Sequence, residues 1–554
     1  MLVTFLVNFF ISIVIIGYSY LFKIFFFQKQ NLVIANLDFL YGLFLIIFTS
    51  VILNFFVALV YVKYVLFIIG IIFFLTATYK RKININYLGL ILFLFVFSFF
   101  TYWNGNNADS PIYHIPTINW IHNYKITFGL AILDWHYALN SVWHIFLSVF
   151  SFQYRDFNTI YVINFIPYAF ILSEILRYTH NFKISYLTLF LSLSYILFFS
   201  YIHPFHNGII FNHLGNPEVD TIGMLFFILT GFLFLKYLSS EDQNDYYLMI
   251  ISSIICPLIK LTYFGSLFFP IVAAIYLNKN LKILFNKISF IGSLLMLVWL
   301  IRNFILSSCF IFPFKFSCFK TSWSLDKDQV LFYLNQTKSF ARDTPLRQKY
   351  TDFEHTIYSF DWFLPWVKNY FFEDAFLKIS FFIFTISILF YFILTLFHSY
   401  KNKSFKIEKL FFYILILYFL NFLLWFQAPE IRFGWGILVF FPCVFLSLLL
   451  NKFNIINRIN KNIFSGIIIL LCFLLIYKNS KNFKIDYLIK TYDKKFSYSE
   501  IVEIKEINGF KIFQSKEWMC ADFKGICINK PKKNYLLEYK YNYIFISTKD
   551  RETL

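Results

Sequence analysis

Long apolar stretches separated by short polar breaks run through almost the whole chain. Runs able to span a bilayer lie near 1–22, 37–59, 62–79, 86–102, 157–177, 184–202 and 219–238, and again near 246–259, 262–278, 287–305, 376–397, 409–426, 432–450 and 463–478. A helix needs roughly 20 apolar residues to cross the hydrocarbon core, so the pattern predicts an all-α polytopic transmembrane bundle of about 12–14 spans, the pair flanking Pro257 being short. The run 141–152 is too short to cross and is expected to lie in or on the membrane. The first run, Met1 to Phe27, lacks a basic start and a small-residue cleavage site, so it reads as a retained span. Three regions follow: N-terminal spans over 1–79, a transmembrane core over 80–478, and a polar tail over 479–554. The tail interleaves Lys, Tyr, Asp and Glu with β-like runs such as Tyr543-Ile544-Phe545-Ile546, which predicts a small α/β appendage.

Composition agrees. Hydrophobic residues occupy 59% of the 554 positions and charged residues only 14%. A soluble domain carries about a quarter charged residues, so this chain is expected to have lipid as its main solvent, and a soluble enzyme or secreted globular domain is excluded. The 81 Phe and 39 Tyr accompany abundant Ile, Asn and Lys, and Phe reads as a replacement for Leu and Val. The net charge of +19 sits in short clusters between apolar runs, a pattern of cytoplasmic loops and not of a nucleic-acid surface. Lys80-Arg81-Lys82, Lys279 with Lys282 and Lys287, Lys401 to Lys409, and Lys452 with Arg458 and Lys461 are therefore expected inside. Alternating the spans from those anchors puts the loops 103–156, 203–218, 306–375 and 427–431, both termini and the tail outside. Cys309 with Cys318, and Cys520 with Cys527, fall in those outer segments, where an oxidising compartment permits two disulfides.

Polar chemistry concentrates on the same predicted side. The first large outer loop holds Asp109, His114, Asp134 and His136 among four Trp. Interfacial preference explains the Trp but not a carboxylate beside His114 in a segment punctuated by Pro111 and Pro116. Asp109 also suits a helix N-cap before Pro111. A second cluster contains His203, His206, His213, Glu218 and Asp220, the two carboxylates also suiting the start of the next helix. Lys260 and Arg302 lie at predicted outer helix ends, and Gln427-Ala428-Pro429-Glu430-Ile431-Arg432-Phe433 supplies Glu430 and Arg432. Ionisable groups at membrane depth mark functional sites by default. A carboxylate can take the proton of an attacking hydroxyl, and Lys and Arg can bind a phosphate leaving group, Arg bidentately. Beside an apolar groove, that combination suits sugar transfer from a lipid-phosphate carrier to a hydroxyl.

On Asp109-Ser110-Pro111-Ile112-Tyr113-His114, Asn140-Ser141-Val142-Trp143, Arg302-Asn303 and Pro429-Glu430-Ile431-Arg432-Phe433, the chain resembles the GT-C superfamily of integral membrane glycosyltransferases, and within it an uncharacterised bacterial many-span branch. The resemblance covers roughly residues 80–450. It implies a polyprenyl-phosphate-linked sugar donor, a glycan or lipid acceptor, and a site on the outer face of a bacterial cytoplasmic membrane. Asp109 sits where the family's catalytic carboxylate would, with His114 and Asp134 as further catalytic candidates. His136, His206, Glu218, Asp220, Lys260, Arg302, Glu430 and Arg432 are the substrate-binding candidates. Two departures matter: about three spans precede the acidic loop where the family has one, and the family's paired acids are reduced to one Asp. The second carboxylate is then Asp134, Glu218 or Asp220, and a divalent metal stays open. A transporter or flippase for lipid-linked glycans, and an O-antigen-type polymerase or ligase, are the competing readings. With no Walker-type loop or Rossmann fingerprint, no nucleotide cofactor is expected.

Overall fold

The computed structural model describes residues 1–27, 32–100, 109–154, 157–177, 183–202, 215–342, 357–372, 374–402, 408–453 and 461–480, and in the tail 501–508, 510–515, 520, 523, 526–528 and 535–548. Helices lie in each of the apolar runs, but the run 157–177 opens with a short strand and a 3-10 turn and is α-helical only over Phe165–Arg177, too short to cross. Among the described residues eight are long and apolar enough to cross a membrane: Leu2–Phe26, Asn36–Phe56, Leu59–Tyr79, Asp220–Ser240, Lys287–Ser307, Ala375–Phe397, Lys409–Phe426 and Ile431–Lys452. Tyr87–Ser98, Ile184–Phe198 and Leu261–Tyr276 are shorter apolar helices. They differ sharply in enclosure. In the apolar stretches of Asp220–Ser240 and Ile431–Lys452, 89% and 83% of the residues are buried inside the protein, against 22% in Leu59–Tyr79 and Ala375–Phe397. The first two are therefore the central staves, and residues at their ends face other protein segments.

Close helix approach depends on small residues, as expected where packing holds apolar helices together. The Leu2–Phe26 and Leu59–Tyr79 helices touch at Gly17, where an added Cβ would lie 1.8 Å from the Gly70 carbonyl oxygen. The Val142–Val149 helix spans only about 12 Å at 1.5 Å per residue, and every one of its residues is buried. It is an internal plug at the end of the bundle.

The two ends of the bundle are chemically distinct. At one end Lys23 bonds Asp38 at 2.5 Å, Asn244 reaches the other Asp38 oxygen, and Asn36 bonds Ser173. Lys236 pairs with Asp245, Lys279 with Glu241, and Lys409 donates to the Tyr276 carbonyl. Lys82 belongs there too, its carbonyl accepting from the Ile34 amide. Helices Asp220–Ser240 and Ile431–Lys452 start at the other end and run to this basic one, about 30 Å away at 1.5 Å per residue.

A second, smaller core is built on that other end. Trp120, Leu130, Tyr137, Leu306, Phe312, Val330, Ile512, Leu537 and Ile546 pack together, combining the first polar loop, the Cys309–Cys318 hairpin, the amphipathic Lys327–Arg342 helix and the tail. Cys309–Cys318 and Cys520–Cys527 are both disulfide-bonded. The described tail residues form strands alone, where an α/β appendage was expected. Ile501–Ile507 and Phe510–Ser515 pair antiparallel, Ile526–Ile528 adds in parallel, and Tyr535–Lys540 pairs with Tyr543–Thr548. The hairpin turn places Tyr541 and Asn542 at positive φ, which fits a two-residue turn whose twist matches the strands. The tail docks by strand addition: the Phe128 amide donates to the Ile544 carbonyl, and the Ile546 amide to the Phe128 carbonyl.

Gly129 makes that docking possible. Its φ is +72°, and a Cβ there would meet the Ile546 carbonyl oxygen at 2.3 Å. Gly129→Val is expected to cost about 1–3 kcal/mol in backbone strain and to release the tail. Limited proteolysis should then cut the tail faster than in wild type while the helical core stays resistant; unchanged cleavage would remove this role for Gly129.

Candidate functional site

Arg432 is the second residue of the Ile431–Lys452 helix and lies at the centre of the polar cluster. Its Nη1 donates to Asp109 Oδ2 at 3.1 Å and its Nε lies 3.4 Å from Glu430 Oε1. The turn that presents it is held by two indoles, Trp425 donating to the Glu430 carbonyl at 2.8 Å and Trp366 to the Pro429 carbonyl at 3.2 Å. Gly434 lets Trp425 approach, since a Cβ there would sit 2.5 Å from the indole nitrogen. The backbone of the turn that carries Arg432 is thus fixed by neutral groups, while its guanidinium bonds Asp109 and Glu430.

Lys260 follows the Gln243–Ile259 helix in extended conformation and forms an ion pair with Asp220. Its ammonium also stands 4.2 Å from the centre of the Phe433 ring, a cation–π contact. Phe433 follows Arg432, so the two cations are neighbours, and the charge of Asp220 acts on both Lys260 and Arg432. Asp220 opens its helix but spends its carboxylate on Lys260 and caps nothing with it. Asp109 likewise makes no side-chain cap bond at the Ser110–His114 turn and turns to Arg432 instead. Glu218 is buried, and its carbonyl, with that of Asn216, is held by Asn164, which in turn accepts from Trp143.

Tyr113 links these groups to the histidines. Burial and then the Asp109 charge hold its phenol well above the usual tyrosine range, with Asp220 and Glu218 acting in the same sense. Its ring stacks on His136 at 4.5 Å, and His136 Nδ1 lies 2.6 Å from Asp134 Oδ1. Asp134 is committed to that ring and to the His136 amide at 3.0 Å, so it orients His136. His114 Nδ1 and His144 Nε2 are 2.9 Å apart, and the Pro217 carbonyl bonds His144. Burial pushes His114 down to about 3 and His144 well below the ordinary value, so the pair is neutral at pH 7.

Of the residues singled out in the sequence, Asp109, Asp220, Lys260, Glu430 and Arg432 meet around one spot, with Glu218, His114, His136 and Asp134 in the adjoining layer. Arg302 is elsewhere. Its buried guanidinium donates to Asn140 Oδ1 at 2.8 Å and Asn54 Oδ1 at 2.7 Å, and Asn54 in turn donates to the Ile121 and Tyr124 carbonyls. Arg302 therefore ties the polar loop to two helix ends. His206 lies outside the described residues. Asn54 and Asn164 were missed, although a lone Asn inside an apolar run is a visible signal of a polar tether. Among the described residues no three His, Cys, Asp or Glu side chains are grouped to hold a metal ion. The buried hydroxyls of Ser110 and Thr221, beside Asp109 and Asp220 in sequence, have no hydrogen-bond partner among those residues.

The chain belongs to the family described as "Domain of unknown function (DUF8201)", whose model matches residues 1–439. That span takes in every candidate residue from Asp109 to Arg432 and stops short of the tail. No curated protein and no solved structure matches the chain.

The two ion pairs should differ in strength. Asp109 is 33% exposed, and such a pair is worth about 0–1 kcal/mol, whereas stranding one partner of an enclosed pair costs about 3–5 kcal/mol. Thermal unfolding in detergent should accordingly find Asp220→Ala strongly destabilised and Asp109→Ala close to wild type; equal losses would contradict this ranking. The histidines give a pH dependence. Their folded values lie below the ordinary 6.5, so the unfolded state binds more protons in acid. Their contribution is intact above pH 6.5 and is lost progressively as pH falls toward about 3. The melting temperature should drop between pH 7 and pH 5, less steeply in His114→Gln; parallel curves would exclude the pair as the cause.

Proposed function

We propose that this family member is a multi-pass membrane glycosyltransferase that moves a sugar from a polyprenyl-phosphate carrier to a hydroxyl on the outer face of a bacterial cytoplasmic membrane. The observation that carries the reading is the meeting of two cations, Lys260 and Arg432, with a partly exposed carboxylate, Asp109, at one end of an apolar bundle. The orientation is supported by charge and by sulfur. The basic groups at Lys82, Lys279 and Lys409 gather at the far end, which under the positive-inside rule faces the cytoplasm. Both disulfides lie at the site end, Cys309–Cys318 in the second core and Cys520–Cys527 beside Trp120 and Tyr137, where an oxidising exterior would permit them.

In this reading Arg432 and Lys260 hold the phosphate of the donor. Asp109 accepts the proton of the acceptor hydroxyl as its oxygen bonds the sugar's anomeric carbon. The bond from that carbon to the phosphate oxygen breaks, its electron pair leaving with the polyprenyl phosphate, where the two cations balance the added charge. Attack opposite the leaving group inverts the anomeric centre. The proton on Asp109 then passes to solvent or to the departing phosphate, restoring the carboxylate. Asp220 keeps Lys260 charged and directed, and Tyr113 and His136 form the wall beside the acceptor. A transporter would carry its ionisable groups midway along broken helices, whereas these lie at helix ends.

The test is release of prenyl phosphate by purified protein offered a panel of neutral, acidic and amino sugars on a prenyl-phosphate carrier. One or more donors should turn over, and Asp109→Asn should lower that rate by about 10²–10⁴-fold, the usual worth of a positioned base, with an unchanged elution profile. Full activity in Asp109→Asn would remove Asp109 as base, and silence across the panel would count against the reaction class.

A further inference from the structure

The site as it stands is occupied by its own carboxylates. Three acidic residues, Asp109, Asp220 and Glu430, already act on the two cations, and Arg432 touches two of them. A phosphate cannot be added to such a cluster without relieving negative charge. One acid is placed to yield. Asp109 is 33% exposed, against 13% for Asp220 and 7% for Glu430. It begins a short turn in a loop, while Asp220 belongs to a central helix and Glu430 adjoins the indole-pinned turn. Arg432 also keeps a place for an incoming group, because its Nη2 makes no hydrogen bond among the described residues.

Resting on the function proposed above, we propose that the donor's phosphate exchanges with Asp109 on Arg432, so that donor binding itself frees the catalytic carboxylate. A phosphate oxygen first meets Nη2, then takes Nη1 in the fork geometry that guanidinium offers phosphate. Asp109 is released toward the acceptor side, where its carboxylate oxygens can accept the proton of the acceptor hydroxyl. Without donor the carboxylate stays paired, which suppresses proton abstraction from stray hydroxyls and water. Asp109 thus serves as a place-holder for the phosphate and afterwards as the base.

The exchange predicts that removing the competing charge tightens phosphate binding. Farnesyl phosphate affinity, measured on full-length protein in nanodiscs, should rise at least tenfold in Asp109→Asn and in Asp109→Ala, stay near wild type in Asp109→Glu, and fall at least tenfold in Arg432→Gln. Farnesol and inorganic phosphate are the controls, and both should bind far more weakly than farnesyl phosphate. If wild type binds farnesyl phosphate but Asp109→Asn and Asp109→Ala bind it equally or more weakly, the exchange is wrong and the glycosyltransferase reading stands. If wild type does not prefer farnesyl phosphate to farnesol, the lipid-phosphate reading fails and takes the exchange with it. Inorganic phosphate binding as tightly as farnesyl phosphate would overturn the lipid carrier as the ligand.

Discussion

A guanidinium at the end of an apolar bundle has to be neutralised, and Arg432 draws the separate polar segments of this chain to one place. Asp109 comes from the first polar loop, Asp220 from the start of a central helix and Glu430 from the turn just before Arg432. Lys260 joins through Asp220 and the Phe433 ring. Segments more than three hundred residues apart thus meet where each supplies a charge that hydrocarbon would penalise if left alone.

Neutral tethers do the positioning that ion pairs do poorly. Ionic contacts between partly exposed groups are weak and exchangeable, whereas a buried amide or indole left without its partner costs its full desolvation. Asn164 holds the Asn216–Glu218 carbonyls, Trp366 and Trp425 hold the Pro429–Glu430 turn, and Asn54 holds the Ile121 and Tyr124 carbonyls of the polar loop. This division gives the site a fixed frame, which the exchange proposed above requires of everything but Asp109.

The sequence made the helices legible because an apolar run of eighteen or more residues has few other structures open to it in lipid. The grouping of Asp109, Asp220, Lys260 and Arg432 was legible from alternation of spans alone, since each falls at a helix end on the same predicted side. What alternation cannot give is who pairs with whom. Asp109 and Asp220 had equally good reasons to cap helices, and only the distances to Arg432 and Lys260 decide otherwise. Arg302 read as a phosphate ligand because a terminal arginine looks the same whether it faces a cavity or two asparagines. The tail was read as α/β on mixed local signals, while its described residues pair as strands, one of them completed by Phe128 from far away in the chain.

The central claim is that the Asp109 loop and the Arg432 turn meet in one site that opens away from the basic end of the bundle. Cysteines at 109 and 432, treated in intact cells with a short bismaleimide, test both halves of it together. The account predicts an intramolecular crosslink that is blocked when a membrane-impermeant thiol reagent is applied first from outside. No crosslink, or one blocked only after the membrane is permeabilised, would contradict it.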